Sequence, residues 1–422
     1  MKSSAITGFY KKSMSDRLAL VREYGDLSEE EARKVGDTGA LEPALVDRMI
    51  ENVVGAMPLP LGVAVNFVIN GEEVLVPMAI EEPSVVAAAS NAAKMARAFG
   101  GFEAHTTEPV MIGQIQLVDV PDPAAARERV LEMRDELLEF CNAKDPVLVK
   151  FGGGARDVEV RLLDTLQGPM VIVHLLVDCR DAMGANAVNT MAEAAAPLLE
   201  EATGGRAYLR IISNLADRRL ARARATFSKG AIGGEEVVEG ILQAYAFAAA
   251  DPYRCATHNK GIMNGIDAVV IATGNDWRAI ESGAHSYAAR SGHYSPLTVW
   301  ESDSNGDLVG TIEVPLAVGL VGGATAVHPT AKANVKLLGV KTAQELAQII
   351  AAVGLAQNFA ALRALATEGI QRGHMSLHAR NIAVTVGATL DEVDEVVRRL
   401  VEEKAVRMDR AEEILKEIRG ET

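Results

Sequence analysis

The stretch Val110-Met111-Ile112-Gly113-Gln114-Ile115-Gln116-Leu117-Val118-Asp119-Val120 reads as a β-strand, and the elements after it decide the fold. An amphipathic helix is expected over Pro123–Ala143, strands over Val158–Leu163 and Met170–Val177, a second helix over Val188–Glu201 and a last strand over Tyr208–Ile212. That order, β-α-β-β-α-β, is the ferredoxin-like pattern. Outside it the patterning changes. Ser28-Glu29-Glu30-Glu31 fits a capping box, and Pro43 with Leu45, Val46, Met49 and Ile50 fits another helix. Strands Val63–Ile69 and Glu73–Met78 are joined by Asn70-Gly71, two residues that tolerate positive φ, so a hairpin is expected. Pro83 then opens a helix over Ser84–Phe99 that stops at Gly100-Gly101, placing Glu81 and Glu82 at a strand-to-helix junction.

Beyond residue 212 come Ala- and Glu-rich helical sequence (Glu235–Ala249) and a hairpin at Asn305-Gly306 between Thr298–Trp300 and Leu308–Val314. Thr389-Leu390-Asp391-Glu392 is a second capping box, followed by Val393, Val396, Val397 and Leu400 at helical spacing, and Val406–Arg419 patterns as one more helix. A tethered lid and a peripheral helical hairpin would both look like this. The expected class is α+β: a large mixed α/β domain (1–107 and 213–368), an inserted small domain (108–212) and a C-terminal helical segment (369–422).

The bulk properties exclude more than they assign. At 422 residues, two or three folding units are expected. A net charge of −15 argues against a nucleic-acid partner but leaves room for a local anion site. Cys141, Cys179 and Cys255 stand far apart, so a reducing, cytoplasmic setting is expected. Met1–Arg22 has no apolar core of a signal peptide, and the apolar run Val314–Val327 is Gly-rich and short of a membrane span.

The common motifs are missing: no GxGxxG after a strand, no GxxxxGK[ST] loop and no GxSxG elbow. His374 and His378 lie four apart, but Met375 stands where a zinc-binding HExxH motif has glutamate, and no further ligand cluster supports a metal. Three polar positions are harder to explain as scaffold: Glu82 before the helix, Lys260 in a polar run with His258, Asn259, Gly261 and Asn264, and Asp276 after the apolar run Ala268–Ala272. Each is expected where an element ends. A structural role is open for each of the three, Asp276 for instance as an N-cap and Glu82 as a complement to a helix dipole.

Glu81-Glu82-Pro83-Ser84, Asp181-Ala182-Met183-Gly184-Ala185-Asn186, Thr257 to Asn264, Gly274-Asn275-Asp276-Trp277 and Gly373-His374-Met375, in this order, resemble the signatures of 3-hydroxy-3-methylglutaryl-coenzyme A (HMG-CoA) reductases. Glu51-Asn52-Val53-Val54-Gly55 resembles that family's dimerisation motif, and His378-Ala379-Arg380-Asn381 points to the soluble class II branch. The resemblance implies interconversion of HMG-CoA with mevalonate and CoA by two hydride transfers, through mevaldyl-CoA and mevaldehyde. It implies that Lys260 is the cation facing the reacting oxygen, Glu82 the acid/base, Asp276 the aspartate linking them, and His374 the proton donor to the departing CoA sulfur. It gives the 369–422 segment the part of a closing flap. Asp145, Asp181, Met183, Gly184, Ala185 and Asn186 match cofactor positions on the inserted domain, with Asp145 implying a preference for NAD(H), NADP(H) being the other cofactor. Ser84, Arg254 and Asn264 match positions near the HMG group, and Lys11 or Lys12 would meet the CoA phosphates. No metal and no membrane are implied, and active sites are expected between the subunits of a homodimer or higher homo-oligomer. Two other functions remain open at this point: a reductase of another CoA thioester or aldehyde, and a catalytically silent CoA- or nucleotide-binding sensor.

Overall fold

The structure, a computed structural model, describes residues 9–39, 41–367 and 379–420. Its first hairpin joins β1 (Leu61–Ile69) to β2 (Glu72–Ala79). Asn70 (φ 51°) and Gly71 (φ 86°) are both left-handed, as the tight two-residue turn requires. A helix over Val85–Ala96 leads to β3 (Phe102–Thr106), which lies beside β1. The chain then leaves this sheet and builds a second one from β4 (Val110–Val118), β5 (Gly154–Thr165), β6 (Gly168–Asp178) and β7 (Arg206–Ile212). The spatial order is β5-β6-β4-β7, with every pair antiparallel. With helices between β4 and β5 and between β6 and β7, this is the β-α-β-β-α-β connectivity.

The chain returns as β8 (Leu220–Phe227), directly against β3, and finishes the first sheet with β9 (Thr298–Ser302) and β10 (Leu308–Pro315) in the order β2-β1-β3-β8-β10-β9. Exit and return are stitched together: Thr107 N donates to Leu220 O, and Leu220 N to Thr107 Oγ1, each at 2.9 Å. Alternation along β8 sorts its faces. Ala221, Ala223, Ala225 and Phe227 are buried, while Arg222 and Arg224 point the other way. Phe227 stacks on Phe359 with centroids 3.8 Å apart. Phe359 belongs to the Ala343–Ala366 helix, which is long and apolar enough to cross a membrane, yet 67% of its most apolar window is buried. It is the central helix of the layer over this sheet.

Several local expectations need correcting. The helix expected over Pro123–Ala143 is two helices, Pro123–Glu132 and Arg134–Asn142, parted at Met133 (φ −86°, ψ 7°). The helix expected from Ser84 begins at Val85, its last turn tightens to a 3₁₀ turn over Arg97–Phe99, and Pro83 lies outside it. The Pro43 helix ends at Val46. Both capping boxes form, at Ser28 and at Thr389. The Leu390–Glu402 and Met408–Arg419 helices share a core of their own with Ala379, Ile382 and Ala383.

Candidate active site in two cavities

Asp251 starts the decisive helix, Pro252–Ala272, by accepting from Arg254 N at 2.7 Å, with Pro252 in the first helical position. Lys260 therefore stands mid-helix, not at the end of an element as its polar surroundings suggested. Its polar neighbour Asn259 is fully buried and satisfied: Nδ2 donates to Ser295 O (3.0 Å) and Oδ1 accepts from Leu297 N (3.0 Å). Lys260 and Asn264 are four residues apart and share a face. Both reach one carboxylate: Lys260 Nζ lies 2.7 Å from Glu82 Oε2, and Asn264 Nδ2 donates to the same oxygen at 3.3 Å. Glu82 comes from the turn between β2 and the Val85–Ala96 helix.

These residues line a cavity of about 760 Å³ together with Ser84, Arg254, His258 and Gln357. Ser84 is held at φ 77°, a conformation costly for a residue with a Cβ. Among the described residues, Ser84 Oγ and Gln357 Oε1 are buried with no hydrogen-bond partner. Such atoms cost about 1–3 kcal/mol each when left so, and polar groups of a bound ligand would relieve that cost. Gln357 is a residue that sequence reasoning missed. The available signal was an amide inside the apolar run of the Ala343–Ala366 helix.

A second cavity, of about 720 Å³, collects Asp145, Met183, Gly184, Ala185, Asn186 and Asp276. Gly184 sits at φ 109°, where a Cβ would stand 2.4 Å from Cys179 Sγ, and from there the Ala185–Thr203 helix begins. A helix start of this kind offers unpaired main-chain N–H groups and a positive dipole end to phosphate groups. Both aspartates are N-caps. Asp276 Oδ1 accepts from Arg278 N (3.1 Å) and Ala279 N (3.2 Å) and lies 3.4 Å from the Arg278 guanidinium; Asp145 Oδ1 accepts from Leu148 N at 2.9 Å. Asp181 does not line the cavity, because its carboxylate accepts from Ala343 N at 2.8 Å.

Apart from Asp181 and His374, the nominated catalytic, cofactor and substrate residues thus divide between two cavities within one chain. Lys260 opens the first, and Ile271, on the same helix, lines the second. Eleven residues of helix separate them by about 16 Å. Lys11 and Lys12 line neither cavity. Gly373, His374 and His378 lie outside the described residues.

The wall behind the first cavity carries a buried polar relay. Trp300 Nε1 and Thr298 Oγ1 both donate to Asn358 Oδ1 (2.8 and 2.9 Å), so Thr298 Oγ1 must accept from His258 Nε2–H at 2.8 Å. Burial, aided by the nearby Arg254 charge, lowers the imidazole from 6.5 to about 4. The unfolded chain therefore binds a proton that the folded chain refuses between about pH 6.5 and 4. Stability is full above that window and falls as pH drops through it, by about 3 kcal/mol in all. In urea unfolding from pH 7.5 to 4, His258→Gln should remove that slope; a variant with the wild-type slope would refute the assignment.

The α+β chain thus carries a lysine–carboxylate pair over one cavity and a glycine-turned helix start, with its main-chain amides, over another. The sequence profile of the hydroxymethylglutaryl-coenzyme A reductase family matches residues 13–379. The chain is 63% identical over 418 residues to the 3-hydroxy-3-methylglutaryl-coenzyme A reductase of Archaeoglobus fulgidus, covering 99% of this chain and 95% of that protein. It is 34% identical over 385 residues to a probable reductase of the same name from Borreliella burgdorferi, covering 88% and 87%. Among solved structures, the class II enzyme of Streptococcus pneumoniae bound to NADPH in open conformations superposes with a TM-score of 0.76 at 43% identity, over 97% of this chain and 100% of that one. This chain belongs to the HMG-CoA reductase family and is an oxidoreductase.

Proposed function

We propose that this chain interconverts HMG-CoA with mevalonate and CoA by two successive hydride transfers, preferring NAD(H), at an active centre shared between two copies of the chain. The observation that carries the reading is the Lys260–Glu82 pair at the wall of a cavity that also holds Arg254, Ser84 and Asn264. Arg254 suits the free carboxylate of the HMG group, which a guanidinium can grip with two parallel hydrogen bonds. The Lys260 ammonium faces the thioester carbonyl oxygen as negative charge develops on it, and Glu82 delivers the proton that completes the hemithioacetal. As the carbon–sulfur bond breaks, Glu82 takes back the hydroxyl proton and the sulfur takes a proton from His374, so the aldehyde oxygen meets the same lysine and a reprotonated glutamate in the second reduction. The second cavity would hold NADH, and two molecules in succession would supply one hydride to each reduction. The residues there fit it: an amide-bearing helix start for the pyrophosphate and the Asp145 carboxylate for ribose hydroxyls.

Asp276 lines the cofactor cavity together with Ile271, which stands about 16 Å along the helix from Lys260 of its own chain, and this favours a partner's Asp276 completing the set. Exposed apolar side chains, Leu61, Val63 and Val65 on β1, Leu75 on β2, and Ile50 and Met57 flanking Glu51–Gly55 in sequence, are available for subunit contact. In this reading residues 108–212 are the cofactor domain and 369–422 the closing flap. The enzyme works in the cytoplasm, where its three buried free cysteines stay reduced.

The test is a spectrophotometric assay in both directions with NAD(H) and NADP(H) in parallel, and with acetyl-CoA and succinyl-CoA as controls. Nicotinamide oxidation that does not depend on HMG-CoA would refute the substrate. Asp145→Asn keeps an acceptor for Leu148 N while removing the charge that repels a 2′-phosphate. Its NADPH-to-NADH ratio of kcat/KM should rise about tenfold; an unchanged ratio removes Asp145 from cofactor selection.

A further inference from the structure

Behind the cofactor cavity lies a charged side chain that none of the roles above uses. Arg219, one residue before β8, is only 5% exposed. Its Nη1 donates to the carbonyl oxygens of Ala182 (3.0 Å) and Met183 (3.2 Å), and its Nη2 to that of Val318 (2.6 Å). The neighbouring aspartates are engaged elsewhere: Asp178 with Arg156 and Arg180, Asp181 with Ala343 N. Ala182 and Met183 line the cavity on one side, and Gly319, next after Val318, lines it on another.

Two features turn this contact into more than a tie. In a planar trans peptide the C=O and the following N–H point in opposite directions. Drawing the Met183 carbonyl onto a buried cation therefore turns the Gly184 N–H away from it, while the Met183 N–H is taken by the opposite wall, where Ala182 pairs with Val321 in a parallel bridge. The second feature is the closeness of the opposite wall. A Cβ at Gly319 would stand 2.6 Å from Met183 N, and Gly319 N itself donates to Asn275 Oδ1 at 2.8 Å. The segments around 183, 275 and 319 are thereby locked together, with Arg219 and Asn275 as the two side-chain clamps.

We propose that Arg219 is a positioning residue for the dinucleotide: it fixes the Met183–Gly184 peptide so that the Gly184 N–H, with those opening the Ala185–Thr203 helix, forms the donor set for the cofactor's phosphates. This rests on the reading of the second cavity as the cofactor site. A loose loop would have to be ordered by the ligand at a cost in affinity, whereas a clamped one meets the ligand already in place.

Titration calorimetry with NADH and, separately, HMG-CoA tests this on purified wild type, Arg219→Lys, Arg219→Gln and Gly184→Val, alongside thermal unfolding of each. Arg219→Lys keeps the charge but not the three-way fork, and should weaken NADH about tenfold; Arg219→Gln should weaken it up to about a hundredfold. HMG-CoA affinity should stay within about twofold of wild type in both. NADH binding unchanged in Arg219→Lys overturns the proposal, and so does an equal loss for both ligands accompanied by a lowered midpoint, the mark of a purely structural arginine. Should Arg219→Gln fail to fold, Arg219→Lys alone decides. Gly184→Val separates the two levels: if it leaves NADH binding intact, the cavity reading itself fails; if it weakens NADH while Arg219→Lys does not, only the Arg219 role fails.

Discussion

Lys260→Ala should lower kcat by about 10³-fold while leaving the thermal midpoint close to wild type. The two halves of that result have separate causes. The lysine side chain is 60% exposed and its partner Glu82 34% exposed, so their ion pair contributes little to stability, about 0–1 kcal/mol. Position 260 lies inside a helix, where alanine is the most favourable residue. The fold therefore has no reason to suffer. Catalysis does, because carbonyl reduction places negative charge on oxygen in each of the two steps, and a fixed cation is worth most at that moment. The defect should consequently appear both with HMG-CoA and with mevaldehyde supplied directly. A variant that keeps more than a tenth of wild-type kcat on either substrate would remove Lys260 from its assigned place.

The second large effect is a rescue. Asp276→Asn should be as inactive as Lys260→Ala, yet stable, because asparagine serves as an N-cap about as well as aspartate and can still accept from Arg278 N and Ala279 N. That separation matters because the capping role of Asp276 is plain in the structure, and loss of activity without loss of stability isolates the second role. If each active centre takes Lys260 from one chain and Asp276 from its partner, a mixed dimer of the two variants contains one doubly damaged centre and one intact centre. Random pairing makes half the dimers mixed, so co-expressed variants should recover about a quarter of wild-type activity per site. Separately purified variants kept from exchanging should recover none. No recovery from verified mixed dimers would mean that both residues serve the same chain's centre, and the shared-site reading would fall.

Much of this was legible in local sequence. The Asn70-Gly71 turn, both capping boxes and the β-α-β-β-α-β order depend on neighbours within a few residues, and they form where expected. Lys260 defies its local reading because Gly261, Gly265, Asn259 and Asn264 dilute the helical pattern around it. The helix forms anyway, since burial of Ile262, Met263, Ile266 and Val269 and the pairing of Asn259 with the 295–297 backbone outweigh weak propensity. Asp181 groups with the cofactor residues in sequence because it begins their motif. Its carboxylate is instead taken by Ala343, 162 residues away, a contact no local rule could reveal.

The sequence by itself determined most of the elements and their order along the chain, because hydrophobic period and turn chemistry are properties of adjacent residues, while the nomination of Glu82, Lys260, Asp276 and Asp145 rested on motifs that resemble a family's. Tertiary structure alone decided that Glu82 and Lys260, 178 residues apart, meet over one cavity, that Asp276 faces another, and that Arg219 holds the second cavity's walls. Those facts depend on how far one helix runs, which carbonyls face inward and where a buried cation finds its oxygens. All three are settled only when distant segments pack.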